Sequence, residues 1–252
     1  MKYLYRTYQL LVAAPLLLLA TVATAIVTIL GCAVGSAHFW GYYPAMIWSR
    51  LMCWLMLLPV KVEGRENLQG RTSYVFVANH QGPYDIFLIY GFLGRNFKWM
   101  MKKSLGQLPL IGRACRSAGH IMVDKSGPRG IQHTYVQGRQ VLRDGTSLVV
   151  FPEGSRSYTG HMGVFRRGAF QLADELRLPV VPITIDGSFD VLSRQQGVSF
   201  LTWHPLSMVI HPVIQPQGQG AANVQRTMRE SYEAIMSALP QEYQGFVENP
   251  DQ

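Results

Sequence analysis

Asn79-His80-Gln81-Gly82-Pro83-Tyr84-Asp85 puts a histidine and a carboxylate five positions apart across a Gly-Pro turn. Phe151-Pro152-Glu153-Gly154-Ser155-Arg156-Ser157 gathers a carboxylate, a flexible glycine, two hydroxyls and a guanidinium in one short loop. A base with an orienting acid is what activating a hydroxyl requires. An arginine beside hydroxyls and exposed amides is what holding a phosphate requires.

Gly82 and Pro83 favour a tight turn, which brings the Asp85 carboxylate back to one ring nitrogen of His80. That contact fixes the tautomer and leaves the other nitrogen as a base. The arrangement is that of a catalytic triad without a protein nucleophile. The chain has no G-x-S-x-G elbow, so the nucleophile is expected to be an alcohol of the substrate. Asp85 also suits the first turn of a helix, where it would satisfy exposed amides.

Arg156 can contact phosphate bidentately, and Lys102 and Lys103 can add point charges. Gly218-Gln219-Gly220 lacks the third glycine of a dinucleotide fingerprint. The seven histidines show no paired spacing with acids or cysteines, so no metal site is expected.

These residues need elements to hold them. After Pro59 short β-rich runs alternate with helical stretches. Strands are expected over Tyr74–Ala78, Phe97–Met101, His120–Val123, Ser147–Phe151, Pro179–Ile185 and Ser207–Ile210. Helices are expected over Tyr84–Leu93, Gly127–Leu142, Gly168–Leu176 and Ala222–Leu239. The alternation predicts an α/β fold, a mostly parallel or mixed sheet flanked by helices. His80 and Glu153 each directly follow a predicted strand, so they can meet at one sheet edge.

The first 58 residues differ in kind. Between Arg6 and Arg50 lie 43 residues without an Asp, Glu, Lys or Arg. Leu10–Ala37 is 28 residues long, ~42 Å as helix and enough to cross ~30 Å of hydrocarbon. Phe39–Leu58 carries Trp40, Tyr42, Tyr43, Trp48 and Trp54, which suits an interfacial or re-entrant helix. The expected organisation is a membrane anchor over 1–58 and a catalytic domain over 59–252. A cleaved signal peptide ending near Ala23-Thr24-Ala25 is the rival, and the apolar run continuing past Ala25 opposes it. Lys2 and Arg6 before the run, and Lys61 and Arg65 after it, favour a hairpin with both ends in the cytoplasm.

The net charge is +8. Residues 1–58 hold three of the 23 basic residues and none of the 15 acids, so the remainder carries +5. A basic domain tied to a bilayer is drawn to anionic headgroups. The basic residues are scattered and no nucleic-acid motif appears, so nucleic acid is not an expected partner. Cys32, Cys53 and Cys115 have no metal spacing and imply no disulfide framework.

The chain resembles the glycerolipid acyltransferases, most closely the bacterial 1-acyl-glycerol-3-phosphate acyltransferases, over about Val60–Ser188. Asn79–Asp85 is similar to the family's N-H-x-S-x-x-D. Lys102-Lys103-Ser104-Leu105, then Pro109 and Gly112, resembles its second motif, continued by Gly119 and Val123-Asp124-Lys125. Phe151–Ser157 is similar to F-P-E-G-T-R-S, followed by Phe165-Arg166-Arg167-Gly168-Ala169-Phe170. Val180-Val181-Pro182-Ile183 matches the fourth motif. The departures are Gly82 for Ser, Ser155 for Thr, Lys125 for Arg and Arg166 for Lys.

The resemblance implies His80 as base and Asp85 as its partner. It places Lys102, Glu153, Gly154, Ser155 and Arg156 in substrate binding, with Arg156 and Lys102 on the phosphate. It implies acyl transfer from acyl-CoA or acyl carrier protein to lysophosphatidic acid in phospholipid biosynthesis. No metal or redox cofactor is needed, and the implied site of action is the cytoplasmic face of the inner membrane. Oxyanion donors are sought among amides near Gly82 or the Glu153–Gly154 loop. An acceptor such as a lyso-aminolipid, or a catalytically silent lipid-binding protein, are the alternatives.

Overall fold

The computed structural model describes residues 2–70, 72–123, 127–142, 145–197 and 199–247. A seven-stranded mixed sheet organises them: β1 (Val60–Glu63), β2 (Val75–Ala78), β3 (Phe97–Lys102), β4 (Ile121–Val123), β5 (Ser147–Val150), β6 (Val180–Asp186) and β7 (Leu206–Ile210). Its order is β1-β7-β6-β2-β5-β3-β4. Only β6 and β7 pair antiparallel; every other neighbouring pair is parallel. The expected α/β class is therefore present. β1 was not anticipated, since Val60-Lys61-Val62-Glu63 alternates half-buried and exposed residues over only four positions.

The flanking helices are α1 (Lys2–Val34), α2 (Tyr43–Leu55), α3 (Tyr84–Phe92), α4 (Ile111–Ser117), α5 (Pro128–Val141), α6 (Gly168–Glu175), α7 (Ser188–Val191) and α8 (Ala221–Ser237). The short α4 and α7 escaped the sequence reading.

Central strands are apolar because both their faces are covered. In β2, Phe76 and Ala78 face one core with Leu88, Ile89 and Phe97. Val75 and Val77 face the other with Leu148, Phe170, Leu172 and Ile235. β7, paired between β1 and β6 near one side of the sheet, instead alternates, with Leu206, Met208 and Ile210 buried and its intervening residues half-buried.

The N-terminal region forms a helical hairpin. α1 is one 33-residue apolar rod, long enough to cross a membrane, and a π-helical stretch at Gln9–Ala13 interrupts its α-helical pattern. The chain reverses after Gly35, where a single turn, Ala37–Trp40, leads into α2. Gly31 is required there, because the Trp40 ring lies 2.4 Å from where a Cβ would stand.

Three side chains stitch the legs together. Tyr5 donates to Met56 O (2.7 Å), Tyr8 to Leu55 O (2.8 Å) and Trp48 Nε1 to Thr21 Oγ1 (2.9 Å). The hairpin is also fastened to the domain. The Gln9 amide pairs both ways with the Leu201 backbone at 3.0 and 2.9 Å. Tyr42, Cys53, Met56 and Leu58 belong to the same apolar core as Phe76. One side of α1 is left bare: Leu10, Leu11, Leu18, Leu19 and Leu30 are all exposed.

Candidate active site

Parallel strands end together, and the registers place the chemistry. Val77 aligns with Val150 and Ala78 with Ile183. Trp99 aligns with Val149. The loops carrying His80 and Glu153 and the strand end carrying Lys102 therefore leave the same edge of the sheet, the usual place for a site in such folds.

His80 and Asp85 meet as the spacing predicts. His80 Nδ1 lies 2.7 Å from Asp85 Oδ2. The same oxygen accepts the Gly82 amide at 2.9 Å, so Asp85 also serves the exposed N–H groups at the start of α3. A carboxylate has no proton to give, so Nδ1 carries the ring proton and Nε2 keeps its lone pair. Asp85 is fully buried, whereas the His80 side chain keeps 14 % exposure.

The ring is held in plane as well. Phe151 stacks on it with centroids 3.9 Å apart and planes 8° from parallel. Trp99 stacks behind Phe151 at 5.4 Å. Asn79 anchors the other side of the loop: its side chain donates to Ile185 O and accepts from Ile185 N, both at 2.8 Å.

Glu153 turns inward. Oε1 accepts the His80 amide at 2.7 Å and Oε2 the Gly163 amide at 2.8 Å. Its burial disfavours the charge and pushes its pKa up to about 8, against the lowering pull of those two amides. Ser157 N donates to His80 O at 2.7 Å, a second tie between the two loops. Gly154 has φ +78°, in the left-handed region, and the Arg166 guanidinium lies 3.2 Å from where a Cβ would be.

Ser155 and Arg156 are half-buried in this loop, and Lys102 is exposed at the end of β3. Of the second motif's extension, Val123 closes β4, whereas Asp124 and Lys125 lie outside the described residues. The amides proposed for an oxyanion are partly engaged: Gly82 N serves Asp85, and Gly154 N donates to Phe151 O at 3.0 Å.

Three contributors had not been assigned roles. Phe151 was read as a strand end and as the first residue of the Phe151–Ser157 segment, with no role of its own, because stacking is invisible without the fold. Arg194 donates to Arg156 O at 3.2 Å and lies over the Tyr158 ring at 3.9 Å, so it braces the arginine loop. Ser188 explains Gly82: its backbone O and its Oγ lie 2.5 Å from where a Gly82 Cβ would stand.

A base whose Nε2 has no hydrogen-bond partner among the described residues, beside a guanidinium-bearing loop, can deprotonate an alcohol carried by an anionic substrate. Among the described residues no serine or cysteine side chain hydrogen-bonds the His80 ring.

Residues 59–186 match the family described as Acyltransferase. The chain is 32 % identical over 176 residues to a 1-acyl-sn-glycerol-3-phosphate acyltransferase of Saccharomyces cerevisiae, covering 69 % of this chain and 58 % of that one. It is 33 % identical over 187 residues to one of Chlamydomonas reinhardtii, covering 74 % and 54 %. The chain thus spans little more than half the length of these relatives. The fold is similar to the crystal structure of the 1-acyl-sn-glycerophosphate (LPA) acyltransferase PlsC from Thermotoga maritima, with TM-score 0.65 and 23 % identity over 76 % of this chain and 75 % of that one. With half of its residues matched and its histidine–carboxylate pair assembled, this chain belongs to the Acyltransferase family.

Proposed function

We propose that this protein transfers a fatty acyl chain from an acyl-CoA or acyl carrier protein thioester to the free hydroxyl of 1-acyl-glycerol-3-phosphate, giving phosphatidic acid. The observation that carries the reading is the 2.7 Å His80–Asp85 contact, which among the described residues leaves Nε2 without a hydrogen-bond partner and has no serine or cysteine side chain bonded to the ring. His80 Nε2 takes the proton of the acceptor hydroxyl as its oxygen bonds to the thioester carbon. Asp85 stabilises the imidazolium. The C–S bond then breaks, and the leaving thiolate takes the proton back from His80.

Arg156, braced by Arg194, is assigned to the acceptor phosphate together with Lys102. Glu153 positions the His80 loop through the backbone. Gly154 and Ser155 shape the turn that presents Arg156. The bare side of α1 supports attachment to a membrane, and the flanking Lys2, Arg6, Lys61 and Arg65 support a catalytic domain on the cytoplasmic face of the inner membrane, where a lyso-lipid presents its hydroxyl. The test is phosphatidic acid formation by the purified full-length protein from lysophosphatidic acid and each thioester. Transfer by wild type that His80→Ala abolishes is expected; no transfer with either donor would overturn the reading.

A further inference from the structure

At the end of α3 away from Asp85, three arginines surround an open cleft of about 390 Å³ lined by Arg50, Arg65, Leu68, Leu93, Gly94 and Arg95. Each guanidinium is held by backbone carbonyls. Arg50 Nε donates to Gly91 O at 2.7 Å, and Arg65 donates to Phe92 O at 2.6 Å. Arg95 donates to Gly70 O and, at 2.8 Å, to Leu68 O. A guanidinium has five N–H donors, so each keeps some for a ligand.

No carboxylate lines the cleft, and among the described residues none of the three arginines forms an ion pair. The C-terminal end of α3 supplies only ~0.5 of a negative charge against three positive ones. Capping those carbonyls does not require three cations, and their mutual repulsion is relieved by a bound anion. The source of that anion is indicated by α2. Arg50 stands one helical turn from both Ile47 and Trp54, which are 54 % and 56 % exposed. The cleft therefore opens beside the apolar surface of the hairpin.

We propose that Arg50, Arg65 and Arg95 form a headgroup site that takes the phosphate of an anionic bilayer phospholipid, separate from the acceptor site at His80 and Arg156. α3 has nine residues, so ~13 Å of helix lies between the two. The proposal rests on the membrane-lodged hairpin and not on the acyl-transfer reading.

The test titrates the full-length protein in neutral detergent with dihexanoyl phosphatidylglycerol, dihexanoyl phosphatidylcholine and inorganic phosphate. Saturable binding of the phosphatidylglycerol is expected, with at least ~10-fold weaker binding in Arg65→Gln/Arg95→Gln, the loss from one charge-assisted contact. Arg156→Ala should bind it normally. Arg65→Gln alone, at an exposed position, covers the case in which the double variant fails to fold; it should weaken binding several-fold while leaving acyl transfer to a short-chain acceptor unchanged. Normal affinity in a well-folded Arg65→Gln protein would overturn the proposal, as would loss of binding in Arg156→Ala instead. Inorganic phosphate binding as tightly as the lipid would overturn the assignment to a headgroup.

Discussion

Glu153 holds His80 by its backbone and not by its ring: the carboxylate takes the His80 amide at 2.7 Å, while Asp85 alone takes the ring. The two carboxylates thus divide the work, one fixing where the loop lies and the other how the imidazole points. Above about pH 8, where the carboxyl is ionised, Glu153→Gln replaces one acceptor oxygen with an NH₂ group that faces a backbone N–H. It should lower kcat by more than tenfold while changing the acceptor KM little, since the damage falls on placement of the base. A change confined to acceptor KM would return Glu153 to direct substrate binding.

The same carboxyl sets a pH dependence of stability. Its pKa is raised from the ordinary 4.5 to about 8 by burial. Between those values the folded state keeps a proton that the unfolded chain has released. This contribution is fully present below the lower value and fades as pH rises through about 8. The slope is at most ~1.4 kcal/mol per pH unit. Apparent melting temperatures of the wild type should therefore decline from pH 5 to 8 more steeply than those of Glu153→Gln. Parallel curves would remove Glu153 as the cause.

His80→Ala should abolish transfer, because among the described residues Asp85 is the one titratable group bonded to the ring and it faces Nδ1, not Nε2. Asp85→Asn should be nearly as severe, up to ~10⁴-fold as in a comparable triad, since an amide favours the wrong tautomer and leaves the imidazolium unsupported. Both are read by turnover in protein with an unchanged melting temperature. Near-normal turnover of a folded His80→Ala enzyme would sink the mechanism.

Arg156→Ala should raise the KM for the phosphorylated acceptor by ~10–150-fold, the loss of one charge-assisted contact of ~1.5–3 kcal/mol. Arg156→Lys should recover only part, because the planar fork is gone. If the donor KM moves and the acceptor KM does not, Arg156 belongs to the thioester side.

Much of the site was legible because it is local. His80 and Asp85 lie across one Gly-Pro turn, and Glu153 follows a strand of four buried residues, so types and spacing were enough to place them at one sheet edge, although Glu153, expected to bind substrate, instead accepts the His80 and Gly163 amides. Contacts between distant segments were not legible. Phe151 under the imidazole, Arg194 behind Arg156 and Ser188 against Gly82 depend on which strands are neighbours, and β2 lies between β5 and β6. Helices α4 and α7 were missed because seven and four residues are too few to show a period.

Gly82 offers a direct check of one such contact. Gly82→Ser drives a Cβ to 2.5 Å from the Ser188 carbonyl oxygen, and backbone yields less readily than a flexible side chain. The expected cost is ~1–3 kcal/mol, seen as a melting temperature lower by several degrees. Adding Ser188→Ala should recover only a fraction, because it removes the hydroxyl and leaves the carbonyl. Full recovery would show that the hydroxyl alone excludes a side chain at position 82.

The two legs of the hairpin should differ when deleted. The buried residues of the apolar rod α1 are mostly small, among them Ala13, Ala25, Thr28 and Gly31, and most of its large ones are exposed. Removing residues 1–34 therefore strips the bare apolar surface and costs the domain few core contacts. That protein should fold, leave the membrane fraction and keep activity on a short-chain acceptor while losing it on a membrane-embedded one. Removing residues 1–58 also takes Tyr42, Cys53, Met56 and Leu58 from the core that holds Phe76, Leu88, Tyr90 and Phe97. Each large buried side chain contributes ~1.5–3 kcal/mol, so three or four of them approach the whole ~5–15 kcal/mol of a domain's stability. The shorter protein should aggregate or bind hydrophobic dyes, measured by light scattering and dye fluorescence beside the 1–34 deletion. A monomeric, cooperatively melting 59–252 fragment would show that α2 is an attachment to the domain and not a part of its core.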